Sequence, residues 1–141
     1  MMTVHSFTIL FKKDTKHLDK PMASPRPRFR NVGKFIQTYM PTNYVKHKHF
    51  IKEQMPELNI DDAIKLTLLF EFPMNKSWSK SLIKRMIHAF KKNKPDIDNL
   101  VKTFMDAANE KIWTDDALVV ELHCAKRYAE VPKIKVKVEE L

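Results

Sequence analysis

At 141 residues, 43% of them hydrophobic and nine of them Phe, the chain can bury a core as one domain, 1–141. The formal charge of +9 points to a polyanionic partner, and the lone glycine, Gly33, excludes the glycine-rich phosphate loops of P-loop and dinucleotide-binding proteins, so no nucleotide cofactor is expected. One cysteine, Cys124, excludes an intrachain disulfide and fits a reducing cytoplasm; no stretch nears the ~20 apolar residues that span a bilayer, and the short N-terminal apolar run, broken by Lys12-Lys13, does not read as a signal peptide.

In chain order, Ser6–Phe11 reads as a first strand. The stretch from Lys20 to Arg30 follows, and its prolines forbid a regular helix or a central strand. Arg26, Arg28 and Arg30 alternate within it; in an extended chain all three point to one side, a stiffened rail suited to phosphates or else a solvated loop. Phe35–Tyr39 is a short strand, punctuated by Pro41. Residues 43–55 are helical, with Tyr44, His47, Ile51 and Met55 at helical spacing and Thr42 or Asn43 as the cap. His47 and His49 read as surface residues on that helix.

Residues 63–72 carry the clearest strand pattern, with Ile64, Leu66, Leu68, Phe70 and Phe72 alternating along one face until Pro73 ends the run. The loop Lys76-Ser77-Trp78-Ser79-Lys80 leads to a helix over 80–90, with Ser79 as its cap and Leu82, Ile83, Met86, Ile87 and Phe90 on one side. A helix over 97–109 has the stripe Ile97, Leu100, Val101, Phe104, Met105 and Ala108. Val119–Lys126 returns as a strand that buries Cys124. Residues 133–138 alternate lysine with apolar residues, which suits one wet sheet face and a guarded edge. These elements predict an α+β domain with a mixed or largely antiparallel sheet flanked by helices.

Charge is unevenly placed: 19 Lys/Arg against 7 Asp/Glu in residues 1–94, but 7 against 10 in residues 95–141. The acidic part contains Asp96-Ile97-Asp98 at the start of a helix and Asp115-Asp116 between a helix and a strand. One reading is structural: caps, plus an i,i+4 ion pair between Asp98 and Lys102 worth a few tenths of a kcal/mol. The other is a metal site, because converging carboxylates repel unless a hard divalent cation such as Mg2+ or Mn2+ neutralises them. An EF-hand fails, since Val101 and Ala107 stand where its glycine and final glutamate belong, and no histidine or cysteine spacing suits zinc.

The run Lys94-Pro95-Asp96-Ile97-Asp98-Asn99-Leu100-Val101-Lys102, with Asp106-Ala107, Trp113-Thr114-Asp115-Asp116 and Val119-Val120-Glu121, resembles the RusA family of Holliday-junction resolvases. Upstream, Arg26-Pro27-Arg28 and Lys76-Ser77-Trp78-Ser79-Lys80 are similar to family segments, although Asn75 stands where proline is common. The resemblance implies a metal-dependent, structure-selective endodeoxyribonuclease. Such an enzyme resolves four-way junctions by paired phosphodiester cleavage, in recombination and repair, as a homodimer in the cytoplasm of a bacterial or phage-infected cell. It implies Asp96, Asp98 and Asp116 as metal-binding carboxylates, Asp115 as an assistant, Lys102 as the functional lysine, and Mg2+ or Mn2+ as cofactor. Arg26, Arg28, Lys76 and Lys80 are the expected DNA contacts. The competing expectations are a basic DNA-binding module without catalysis and a nuclease for other branched nucleic acids.

Overall fold

The computed structural model describes residues 3–141; residues 1 and 2, where the readings of the N-terminus and of a 1–141 domain begin, lie outside them. In chain order the elements are β1 (Thr3–Leu10), β2 (Arg28–Val32), β3 (Phe35–Tyr39), α1 (Thr42–Glu53), β4 (Ile64–Phe72), α2 (Lys80–Met86), α3 (Ile97–Ala108), a 3-10 turn at Asp116–Leu118, β5 (Val119–Tyr128) and β6 (Lys133–Glu140). The alternation of residues 64–72 makes β4 an interior strand, antiparallel to β6 on one side and parallel to β5 on the other. The sheet order is β1-β6-β4-β5, mixed as expected, while β2 and β3 form a separate two-stranded ribbon.

Ile64, Leu66, Leu68, Phe70 and Phe72 of β4 and Ile134, Val136 and Val138 of β6 line one sheet face. That face joins Ile51 of α1 and Leu100, Val101 and Phe104 of α3 in one buried cluster, so the apolar stripe of α3 is spent inside its own chain. Phe104 meets the buried ring of Trp113 edge-on, centroids 6.4 Å apart.

Several elements differ from the sequence reading. The capping residue of α1 is Pro41, at φ −57°, and no side chain caps the helix, so neither Thr42 nor Asn43 plays that part. His47 is buried, not a surface residue: its Nδ1 bonds the His17 carbonyl at 2.7 Å and its ring stacks on Phe11 at 5.8 Å. His49 is exposed, as expected. Ser79 does cap α2, accepting from the Leu82 N–H at 3.2 Å, but the helix stops at Met86 and not at residue 90. The chain turns through His88 at φ 64° and lays residues 88–91 along the end of β5. Bonds between His88 N–H and the Tyr128 carbonyl, Tyr128 N–H and the Ala89 carbonyl, and Lys91 N–H and the Lys126 carbonyl replace further helical turns.

β6 presents its lysines to the wet face, but it lies between β1 and β4 and guards no edge; the edge strands are β1 and β5, and residues 88–91 cover the end of β5. On that wet face Lys135 reaches the buried Glu71 at 3.5 Å. Cys124 is half-buried, and burial pushes its thiol pKa up, away from reactivity. The Lys94–Pro95 peptide is cis. Asp14, His17, Asn59, His88 and Glu110 take left-handed backbone without being glycine. Among the described residues no helix is long and apolar enough to cross a membrane.

Candidate active site

Asp96 and Asp98 open α3. Asp96 is its capping residue by backbone, extended at φ −71° and ψ 140°, yet its carboxylate makes no cap hydrogen bond. That carboxylate instead faces the Lys94 ammonium at 3.3 Å. Asp98 lies in the first turn, exposed, accepting only from the adjacent Asn99 N–H at 2.9 Å. The positive end of the helix dipole favours both negative charges. Among the described residues Asp98 forms no ion pair with Lys102, which is exposed. Asp96 thus stands at the capping position by its backbone alone, and the i,i+4 pair between Asp98 and Lys102 is not formed.

The loop leading into Asp96 is held from β5. Lys126 lies on the same face of β5 as Leu122 and Cys124, in register with Phe70, and delivers its ammonium to the carbonyls of Asn93 and Pro95, each at 2.8 Å. The Asn93 side-chain oxygen accepts from Lys91 at 2.8 Å and from the Tyr128 hydroxyl at 3.3 Å. Trp78 packs edge-on against Tyr128 at 5.2 Å. From the other side, the Ser24 N–H bonds the Asn99 carbonyl at 3.0 Å, docking the proline-rich segment on the first turn of α3. Sequence reasoning missed Lys126, Asn93 and Tyr128. The available signal was a lysine at an inward-facing position of an otherwise apolar strand pattern.

Asp115 is a cap: its carboxylate accepts the Ala117 N–H at 3.2 Å, opening the 3-10 turn. Asp116 follows, half-buried, and the turn packs against α3. The approach to this pair is anchored by Trp113, fully buried, whose indole N–H donates to the Asn109 side chain at 2.8 Å. The turn that carries Asp116 thus touches α3, the helix that Asp96 and Asp98 open, while Trp113 ties its approach to Asn109 at the other end of that helix. Among the described residues, however, no three His, Cys, Asp or Glu side chains are gathered into a metal-holding group. As a donor set, Asp96, Asp98 and Asp116 suit a hard divalent cation, being carboxylates that no cap consumes.

A cleft of about 510 Å³ has Pro95, one residue before Asp96, in its lining. Lys20, Lys76, Lys91 and Lys94 line it against a single carboxylate, Asp19. Lys91 is half-buried, with its ammonium over the rings of Phe72 and Tyr128 at 5.4 and 5.0 Å. Burial, and then the nearby Lys20 charge, lower its pKa. Of the expected DNA contacts, Lys76 lines this cleft, while Lys80 begins α2 outside it. Arg26 lies two residues past the Ser24 anchor, and Arg28 begins β2; both are exposed. Lys20, Lys91 and Lys94 join this basic wall without having been singled out in the sequence.

The family model for endodeoxyribonuclease RusA matches residues 19–139, a span containing every residue of the site and of the cleft. The chain is also similar to the "Uncharacterized protein YqaN" of Bacillus subtilis (strain 168), 33% identical over 131 residues, which covers 86% of this chain and 92% of that protein. With a family match that spans the carboxylates at the head of α3 and the lysine cleft beside them, the chain belongs to the RusA endodeoxyribonuclease family.

Proposed function

We propose that the protein is a divalent-metal-dependent endonuclease that cuts four-way DNA junctions at paired positions. The observation that carries this reading is the Asp96–Asp98 pair, whose carboxylates make no cap bond, following directly on Pro95 of a cleft walled by four lysines. Asp96, Asp98 and Asp116 would hold Mg2+ or Mn2+, with Asp115 occupied as a cap. Such an ion, when bound, supplies an activated water and polarises the scissile phosphate. The lysine cleft binds the backbone leading to Asp96 through charge. Lys102, exposed and one helical turn beyond Asp98, offsets the negative charge that develops on the phosphate. Lys126 keeps the Asn93 and Pro95 carbonyls, and with them Asp96, in one position.

Paired cuts on a two-fold substrate call for two sites, hence a C2 dimer. The α3 stripe cannot serve as its interface, being buried within the chain. β5 is an edge strand that residues 88–91 cover only at its C-terminal end, and Val120 and Leu122 in its first half are 63% and 42% exposed. Strand pairing between two copies would cover that edge.

The test is incubation with a synthetic four-way junction, with and without Mg2+ or Mn2+. Paired incisions that require the ion are expected. Asp96→Asn and Asp116→Asn should abolish cleavage and retain junction binding. Full activity in both variants overturns the metal assignment. Tight binding by the wild-type chain without any cleavage would make it a basic DNA-binding module instead.

A further inference from the structure

The β2–β3 ribbon stands apart from the body of the protein. It pairs only with itself, and among the described residues no hydrogen bond joins residues 28–39 to the rest of the chain. Its register places Arg28 opposite Tyr39, Arg30 opposite Gln37 and Val32 opposite Phe35. These six share one face, since alternate residues of a strand point the same way. On that face the Arg30 guanidinium lies over the Tyr39 ring at 4.7 Å. The tip is a two-residue turn, with Gly33 at φ 61° and Lys34 beside the Val32–Phe35 pair. Phe35 is 75% exposed, and Phe29 and Ile36 are each 71% exposed. Soluble domains seldom leave so many large apolar groups together in water without a partner.

The charge around the ribbon identifies that partner. Between Asp19 and Glu53 the chain contains eight Lys/Arg and no acidic residue. A surface that is both apolar and free of carboxylates complements a polyanion that also offers flat apolar faces, namely nucleic acid with unstacked bases. Five residues of strand reach about 17 Å, and a two-stranded ribbon fits a major groove or an opened branch point. The base of the ribbon starts four residues after Ser24, which is bonded to the first turn of α3. DNA held by the ribbon therefore runs beside Asp98.

We propose that the β2–β3 ribbon is a branch-reading element: Arg28 and Arg30 hold phosphates, and Phe35 at its tip stacks on a base left unstacked at the branch point. This rests on the junction-cutting reading above and adds to it the group that distinguishes branched from regular DNA. Ordinary duplex offers the arginines their phosphates but hides its base faces from the tip.

The experiment compares the full chain with Phe35→Ser and Arg30→Gln for binding to a four-way junction and to an unbranched duplex of the same sequence, across a salt series. Light scattering and thermal melting are run on each variant. Phe35→Ser should lose about tenfold in junction affinity, within the range for removing one base stack, with duplex affinity and salt slope unchanged. Arg30→Gln should weaken both substrates and flatten the salt slope by about one unit. Wild-type junction affinity in Phe35→Ser overturns the proposal. So does a shift of that variant to a smaller oligomer, which would make the ribbon an interface between copies. A wild-type chain that does not prefer the junction overturns the junction reading itself, whereas preference retained by Phe35→Ser overturns only the role of the ribbon.

Discussion

Two lysines near the head of α3 separate chemistry from positioning. Lys102 is exposed and unpaired beside Asp98, so Lys102→Ala should lower kcat for junction cleavage while leaving junction affinity nearly unchanged. Lys126 donates to the Asn93 and Pro95 carbonyls, so Lys126→Met should act through structure. Losing those charged hydrogen bonds should cost about 2 kcal/mol of stability, and activity should fall as Asp96 loosens. Wild-type turnover in Lys102→Ala, or an unchanged melting temperature in Lys126→Met, would contradict these assignments. His47 gives a pH dependence. Burial, its largest influence, lowers its pKa against the opposing His17 carbonyl and Asp19, with the His17 charge adding to the lowering. The folded state therefore keeps the imidazole neutral, with Nε2 buried and unpartnered. Its contribution to stability is whole above about pH 6.5 and is lost as the pH falls, because the unfolded chain binds a proton that the fold refuses. Thermal melts from pH 8 to 5.5 should show a fall no steeper than about 1.4 kcal/mol per pH unit from this group. His47→Gln should have a shallower fall; equal slopes would show that other groups set it.

At the scale of elements, α3 carries the most weight, since its buried stripe holds the sheet while its first turn holds the carboxylates. Phe104→Ala should cost about 3–5 kcal/mol by leaving a cavity against Trp113, measurable by chemical denaturation, and a loss under 1 kcal/mol would place the core elsewhere. This helix was fully legible in sequence, because periodicity and the acidic opening are local signals. So was β4, whose five alternating apolar residues are all buried. Tyr44, His47, Ile51 and Met55 were seen at helical spacing, and all four are buried; the polar type of His47 concealed what its spacing announced. The prolines before β2 hid a strand whose partner, β3, was visible. The place of β6 inside the sheet and the end of α2 at Met86 depend on strand pairing between segments far apart in sequence, which alternation alone does not encode. The same holds for the site. Asp96, Asp98 and the Asp115–Asp116 pair stood out as motifs, whereas Lys126 meets Asn93 across 33 residues and carries no motif of its own.

For the whole molecule, the uneven charge becomes a geometry: a basic cleft and ribbon on the N-terminal side lead to carboxylates contributed by the C-terminal third. The proposed dimer would give a two-fold substrate two such sites, one from each chain. Light scattering at micromolar concentration should show two copies, and Val120→Lys should separate them and convert paired incisions into single nicks. A monomer that still makes paired cuts would remove the dimer from the mechanism.

The five left-handed residues bear on a different property, the margin by which the chain outlasts heat. Asn59 and Asp14 tolerate that backbone, but His17, His88 and Glu110 hold it against a cost of about 1 kcal/mol each. Three turns are thus kept by packing and hydrogen bonds and not by local preference. In a protein with a single glycine, those positions form an unspent reserve of thermostability.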